Sequence, residues 1–392
     1  MTLAQLAITV ALLGGLGLVA NRFGLSAIPA YITAGLLLGP NEPTALSLIR
    51  PSEVTDFVAE IGLVFLLFFL GLEFTLLRFV RSSRLFGVGG GIDLVVNGAI
   101  GILIGVAVFG TSIAAVAIAA AVYVSSSAIA IKGLIDFRRL ADDETDLVLA
   151  ILLFEDLAIA FALGFVAHGG GEGAETAALA AKVLLFIGLS LAAARWLSGP
   201  LDRLLDRLPL EFFLLFVVAF VVGAAALAHE LGLSEAVGAL MAGVVLAETS
   251  VRELIEERFF SFRDLFGALF FFAFGLSIDV ATLGNVWLLL AVAVVLTVVG
   301  KLASTQLAGR LGGFSPRQSL NAGAALVAHG EFTIIVAQLA ASNPAIGADS
   351  RADLVAFAGL YVLATALVGV VLMKESKALG RRLFLRPTLV PE

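Results

Sequence analysis

The sequence predicts an all-α integral membrane fold: 13 transmembrane helices, arranged as two inverted six-helix repeats with discontinuous crossing helices. Three observations carry this. The 392 residues are 60% hydrophobic and only 14% charged, with a mean hydropathy of +1.07. A soluble domain holds about 45–50% apolar and about 25% charged residues. Apolar runs of bilayer-spanning length recur from one end of the chain to the other. Finally, the two halves share short motifs at a nearly constant offset.

Taken in order, the runs lie at about 3–20, 25–40, 55–77, 85–109, 112–135, 145–167, 176–197, 210–229, 232–248, 264–280, 283–308, 317–341 and 352–374. The second, ninth and tenth are short. The N-terminus lacks the basic stretch of a signal peptide, so the first run is expected to stay as a helix. Of the 24 Lys and Arg residues, 20 fall on one set of alternating connections, from Arg22 through Arg138 and Arg139 to the tail after Lys374. Arg50, Lys182 and Arg351 fall on the other set, and Lys301 lies inside a run. The positive-inside rule then puts the N-terminus outside and the C-terminus in the cytoplasm. The connections are too short for a soluble domain.

Composition also excludes chemistry. Without cysteine there are no disulfides, thiolate metal sites or cysteine nucleophiles. Three scattered histidines, His168, His229 and His329, do not make a histidine-rich metal centre. No cofactor motif is visible. The net charge of −7 sits mostly in short loops, and nucleic acid is not an expected partner. The expected partner is the lipid bilayer.

The repeat is read from two matches. Gly24-Leu25-Ser26 with Ala34-Gly35 recurs as Gly232-Leu233-Ser234 with Ala242-Gly243, and Phe68 to Leu72 recurs as Phe272 to Leu276. They pair the second run with the ninth and the third with the tenth. Runs one to six (about 3–167) then correspond to runs eight to thirteen (about 210–374), and the seventh (176–197) is a linker. Equivalent runs are seven apart, so the halves have opposite orientation, the plan of many secondary transporters. The same offset aligns Asn97 with Lys301, and Ser125-Ser126-Ser127 with His329-Gly330-Glu331. Both of these triplets interrupt an apolar run at mid-membrane. Ser competes for backbone hydrogen bonds and Gly favours unwinding, which predicts two broken helices whose free backbone groups face a site.

Within the apolar run 147–167, Glu155 and Asp156 occupy the ninth and tenth positions. A carboxylate at the bilayer centre costs about 2.5–3.5 kcal/mol on insertion scales, so intramembrane acids are functional by default. Adjacent residues on a helix point about 100° apart. One of the pair therefore faces a cation or proton in transit and the other a partner. Lys301, the one basic residue deep in a run, needs a carboxylate, and Glu155 or Asp156 is its expected mate. Glu331 either neutralises a helix N-terminus or lines the cation path. Asp93 and Asn97 suit packing hydrogen bonds as well as transport, and His329 suits a satisfied interior histidine better than a pH sensor. Glu73 closes the third run at the interface. These residues alone fit an antiporter or a cation channel or uniporter with the same site. An intramembrane aspartyl hydrolase fits poorly, because adjacent acids on one helix cannot form a proton-sharing dyad.

Several segments together carry a family resemblance: AYITAGLLLGP at 30–40, IGLVFLLFFLGLEF at 61–74, VSSSAIAIKGL at 124–134, LLFEDLAIA at 152–160 and HGEFTIIVAQ at 329–338. Over essentially its whole length the chain resembles the second branch of the monovalent cation:proton antiporters. That branch includes the NapA-type sodium/proton antiporters and the membrane domain of the Kef-type potassium efflux proteins. The resemblance implies the NhaA/NapA-like antiporter fold in a prokaryotic cytoplasmic membrane. It further implies a core (about 85–167 and 283–374), a panel or dimer domain (about 3–77 and 210–280), elevator motion and a homodimer. It puts the cation and the proton alternately on Asp156 and pairs the position before it, Glu155, with Lys301. Sodium-type members carry Asp at that position and Kef-type members Gln, so Glu155 matches neither and leaves Na+ or K+ open. The Kef-type cytoplasmic nucleotide-binding domain is not expected in this chain.

Overall fold

The computed structural model describes residues 3–22, 27–40, 48–73, 85–139, 141–168, 174–233, 235–279, 281 and 283–384. Gly24, Leu25, Ser26 and Ser234 of the repeat motifs lie outside the described residues, as do the basic residues Arg78, Arg81, Arg84 and Arg386.

Regular structure among the described residues is all helical. In order, the helices are α1 (Leu3–Arg22), α2 (Ala27–Leu38), α3 (Glu53–Glu73), a π-turn (Leu85–Gly90) that runs into α4 (Gly91–Phe109), α5 (Ile113–Tyr123), α6 (Ser127–Asp136), α7 (Glu144–His168), α8 (Ala174–Leu205), α9 (Leu210–Glu230), α10 (Glu235–Ala247), α11 (Arg252–Ser277), α12 (Leu283–Gly312), α13 (Pro316–Leu326), α14 (Glu331–Ser342) and α15 (Ala348–Phe384). Among the described residues ten spans are long and apolar enough to cross a membrane, or eleven when α13 and α14 count as one bent span. The helices α2 and α10 are apolar but shorter.

Three helices run well past their apolar runs: α8, which continues to Leu205 rather than 197, α11 and α15. α11 begins at Arg252 rather than near 264, because an Arg252–Glu256 pair one turn apart (Nε to Oε1, 2.7 Å) extends it through a charged stretch that hydropathy passes over. α15 continues ten residues past Lys374 to Phe384, ending on Arg381 and Arg382, cations that suit a helix C-terminus.

Two groups of helices pack closely. In one, α3 lies on α10 and α11, and α2 on α11 and α1. In the other, the π-turn and α4 pack with α5, α7 and α12, while α13 and α14 pack with α12, α15 and α7. The first group is joined by two glycine crossings. A Cβ on Gly71 of α3 would collide with Leu240 O of α10, and one on Gly243 with Phe68 O. In the same way, a Cβ on Gly35 of α2 would collide with Phe272 O of α11, and one on Gly275 with Ile32 O. Backbones that close tolerate only hydrogen between them, the small-residue mode of packing in lipid.

The second group holds both predicted interruptions. Residues 124–126 are extended between α5 and α6, with Val124 at φ −83°, ψ 122° and Ser126 at φ −88°, ψ 108°. Residues 327–330 separate α13 from α14, and the two bend by 43°. Local chemistry restarts α6, while Gly330 gives α14 no side-chain cap. Ser126 caps α6 by accepting from Ile129 N (3.3 Å). Upstream, α13 opens with a full capping box between Ser315 and Gln318, with Pro316 in the first turn.

Candidate functional site

A broken helix leaves its last carbonyls unpaired, and in a membrane each must find a partner inside the protein. Here the two breaks satisfy one another. At the end of α5, Ala121 O accepts from Thr333 Oγ1 (2.9 Å), Val122 O faces His329 Nε2 (2.9 Å) and Tyr123 O accepts from Lys301 Nζ (2.8 Å). At the end of α13, Leu326 O accepts from Ser125 Oγ (2.8 Å), Val327 O faces His329 Nδ1 (2.9 Å) and Ala328 O accepts from Ser126 N (2.8 Å). The breaks are thus laced together by the residues that interrupt them. Gly330 makes the approach possible, since a Cβ there would sit 2.8 Å from Ser126 Cβ.

The carboxylate pair on α7 faces this crossing. Glu155 is fully buried. Its Oε1 lies 2.6 Å from Lys301 Nζ, its Oε2 accepts from Ser125 N at 2.5 Å, and Ser125 Oγ is 3.1 Å from Oε1. Asp156, one residue on, meets Ser127. Its Oδ1 and Oδ2 lie 3.4 and 3.3 Å from Ser127 Oγ at the start of α6. Glu155 thus takes the lysine, and Asp156 faces the first turn of α6.

Lys301 has a second carboxylate partner, Asp93. Asp93 Oδ2 stands 2.9 Å from Nζ, and Asp93 is completely buried. Its other oxygen, Oδ1, accepts from Asn97 Nδ2 and Ser304 Oγ, each at 2.7 Å. Asp93 and Asn97 are one turn apart on α4, as Lys301 and Ser304 are on α12, so both pairs share a helix face. An i,i+4 Asp–Asn pair and an i,i+3 Lys–Ser pair were signals available in the sequence. Tyr123 had none, because it serves through its backbone carbonyl. Its ring also lies under Lys301, with Nζ 5.3 Å from the centroid, and its buried hydroxyl has no hydrogen-bond partner among the described residues.

Glu331 opens α14 and accepts from Ser126 Oγ (3.0 Å), so it sits between the first turns of α6 and α14. That favours helix N-terminus neutralisation, one of its two expected roles. His329 is interior and doubly engaged, with the Tyr361 ring edge-on at 4.9 Å and Tyr361 bonded in turn to Thr297. Serine, carboxylate and lysine candidates therefore converge on one buried cluster. Glu73 ends α3, and its side chain lies outside the described residues.

Between α3, α10, α11 and the ends of α7 and α14 lies a cavity of about 420 Å³. Its wall includes Asp56, Glu60, His229, Glu235 and Gln338, and none of the site carboxylates. His229 Nδ1 is 3.3 Å from Glu235 Oε1. The cluster brings one ammonium, Lys301, against the carboxylates Asp93 and Glu155, with Asp156 beside them.

The family model described as "Sodium/hydrogen exchanger, transmembrane" matches residues 8–374. The K(+)/H(+) antiporter subunit KhtU of Bacillus subtilis is 38% identical over 374 residues, spanning 93% of this chain and 91% of the relative. The ammonium/H(+) antiporter subunit AmhT of Alkalihalophilus pseudofirmus is 28% identical over 373 residues, 94% and 91% of the two chains. Among solved structures, the sodium proton antiporter MjNhaP1 from Methanocaldococcus jannaschii superposes with a TM-score of 0.71 at 16% identity, covering 97% of this chain and 98% of that one. At that identity the match shows a shared fold.

Proposed function

The chain belongs to the sodium/hydrogen exchanger family, and we propose that it is a secondary active antiporter that exchanges a monovalent cation, Na+ or K+, for H+. One observation carries the reading: a buried carboxylate pair split between a lysine and the opening turn of a broken helix, at the point where two breaks meet. The relatives exchange K+ or ammonium for protons by their names, which supports the reaction class. Asp156 takes a proton or a cation in turn. Glu155 pairs with Lys301 and breaks from it when the cation enters. Coupling needs only competition for one carboxylate, since an ion on Asp156 displaces its proton and the reverse.

The motion that exposes Asp156 alternately is of the elevator type. The helices packed around the breaks (about 85–167 and 283–374) form the moving core. The glycine-crossed group α1–α3 and α9–α11 forms the panel, through which the chain is a homodimer. Counting α2 and α10 as short spans brings the number to thirteen. The inverted repeat is supported by the glycine crossings. Gly71 on Gly243 and Gly275 on Gly35 exchange places under the offsets of 204 and 208 that relate the halves. The N-terminus lies outside the cytoplasmic membrane of a prokaryote and the C-terminus inside, so the cavity lined by Glu60 and Glu235 opens outward between core and panel.

The test is proton flux from liposomes that contain the purified chain and a trapped pH dye, after addition of Na+, K+ or Li+. Cation-dependent proton release that is abolished by Asp156→Asn is the expected result. Cation leak without proton counterflux, or unchanged exchange in Asp156→Asn, contradicts the proposal.

A further inference from the structure

Lys301 is held twice, and the two holds belong to different parts of the site. Its three N–H groups meet three acceptors: Glu155 Oε1 at 2.6 Å, Asp93 Oδ2 at 2.9 Å and Tyr123 O at 2.8 Å. Glu155 is on α7, beside the residue that takes the cation. Asp93 is on α4, which packs directly on the helix of Lys301, α12. Asp93 is braced away from the breaks, whereas Glu155 takes its two other donors from Ser125, inside one of them. Asn97 from α4 and Ser304 from α12 both donate to the free oxygen of Asp93. Nothing in that brace passes through α7 or either helix break.

From this geometry we infer that Asp93 is the standing counter-ion of Lys301, a positioning residue that keeps the ammonium charged when a cation draws Glu155 away, so that exchange is electroneutral, one proton for one cation. This rests on the antiport reading above and adds its stoichiometry. The charge count follows from the buried groups. Asp93, Glu155 and Asp156 against Lys301 leave two negative charges; either one proton or one monovalent cation on Asp156 reduces that to one. Glu331, bonded to Ser126, contributes equally to every state. The loaded core therefore carries the same charge in both directions. A lysine with Glu155 alone as partner would lose its counter-ion on cation binding and release a second proton, moving one net charge per cycle. In a buried site a lone ammonium is costly, and a second carboxylate removes the reason to deprotonate.

The experiment uses the full chain in liposomes with a trapped pH dye and a potential-sensitive dye, and Na+ or K+ as the added ion. The expected result is a pH signal with no accompanying potential, at a rate that changes by less than about twofold under an imposed 100 mV, where one net charge could shift it by up to about fiftyfold. Asp93→Asn is expected to exchange more slowly and to generate a potential; Asp93→Glu, which keeps the counter-ion, is expected to remain silent on the potential dye. A potential signal in the wild-type protein overturns the inference and leaves antiport standing. So does an Asp93→Asn protein that exchanges silently at the wild-type rate. Absence of any pH response to any cation removes the antiport reading itself.

Discussion

Lys301 is completely buried, and its removal strands two carboxylates. Breaking a buried pair costs about 3–5 kcal/mol, because the surviving charge stays desolvated. Lys301→Met should therefore lower the thermal unfolding midpoint in detergent sharply, and adding Glu155→Gln and Asp93→Asn should recover most of the loss. An unchanged midpoint in the single variant would show that the charges are not paired as described. His329 is stapled between Val122 O and Val327 O. A neutral imidazole donates to one of the two, so His329→Ala leaves that carbonyl unsatisfied, at about 1–3 kcal/mol, and the same melting experiment reads it. Much of this site was legible in the sequence, since Glu155, Asp156, Lys301, Ser125–Ser127 and Glu331 stand out as polar interruptions in apolar runs. The weight of Asp93 was not. Its partner is 208 positions away, and only the packing of α4 on α12 decides whether a buried acid meets a lysine or a neutral neighbour. Tyr123 was invisible for a simpler reason: a carbonyl acceptor is common to every residue.

At the scale of helices, the breaks are the part that sequence chemistry specifies best, because serine caps and glycine clearance act locally. Gly330 is there for space: Gly330→Ala would drive a methyl into Ser126 and push the breaks apart, at a cost of about 1–3 kcal/mol for overpacking. Exchange in that variant should fall along with the melting midpoint, and full activity would mean the breaks tolerate separation. The glycine crossings make a sharper comparison. Gly71→Ala and Gly275→Ala, equivalent under the repeat, should destabilise to a similar degree, whereas Gly188→Ala, which meets nothing within 4 Å, should not. Unequal losses at the two crossings would count against the inverted repeat. Helix lengths were harder to read. The beginning of α11 and the end of α15 are charged stretches stabilised by pairs and by helix-end charge, terms that a hydropathy window averages away.

Across the whole molecule, orientation rests on the distribution of Lys and Arg, and the absence of native cysteine makes it simple to test. A cysteine replacing Lys377 should react with a membrane-impermeant thiol reagent only from the cytoplasmic side, and one replacing Arg351 only from outside; the reverse pattern inverts the topology. In the proposed mechanism, proton and cation compete for Asp156. The most direct test of this competition is the initial rate of exchange measured across cation concentrations at several pH values. Competition predicts that in the acid range the half-saturating cation concentration rises about tenfold for each unit fall in pH, while the rate at saturating cation stays constant. A half-saturation point indifferent to pH, with a maximal rate that falls as the medium is acidified, would mean the two ions do not share a site.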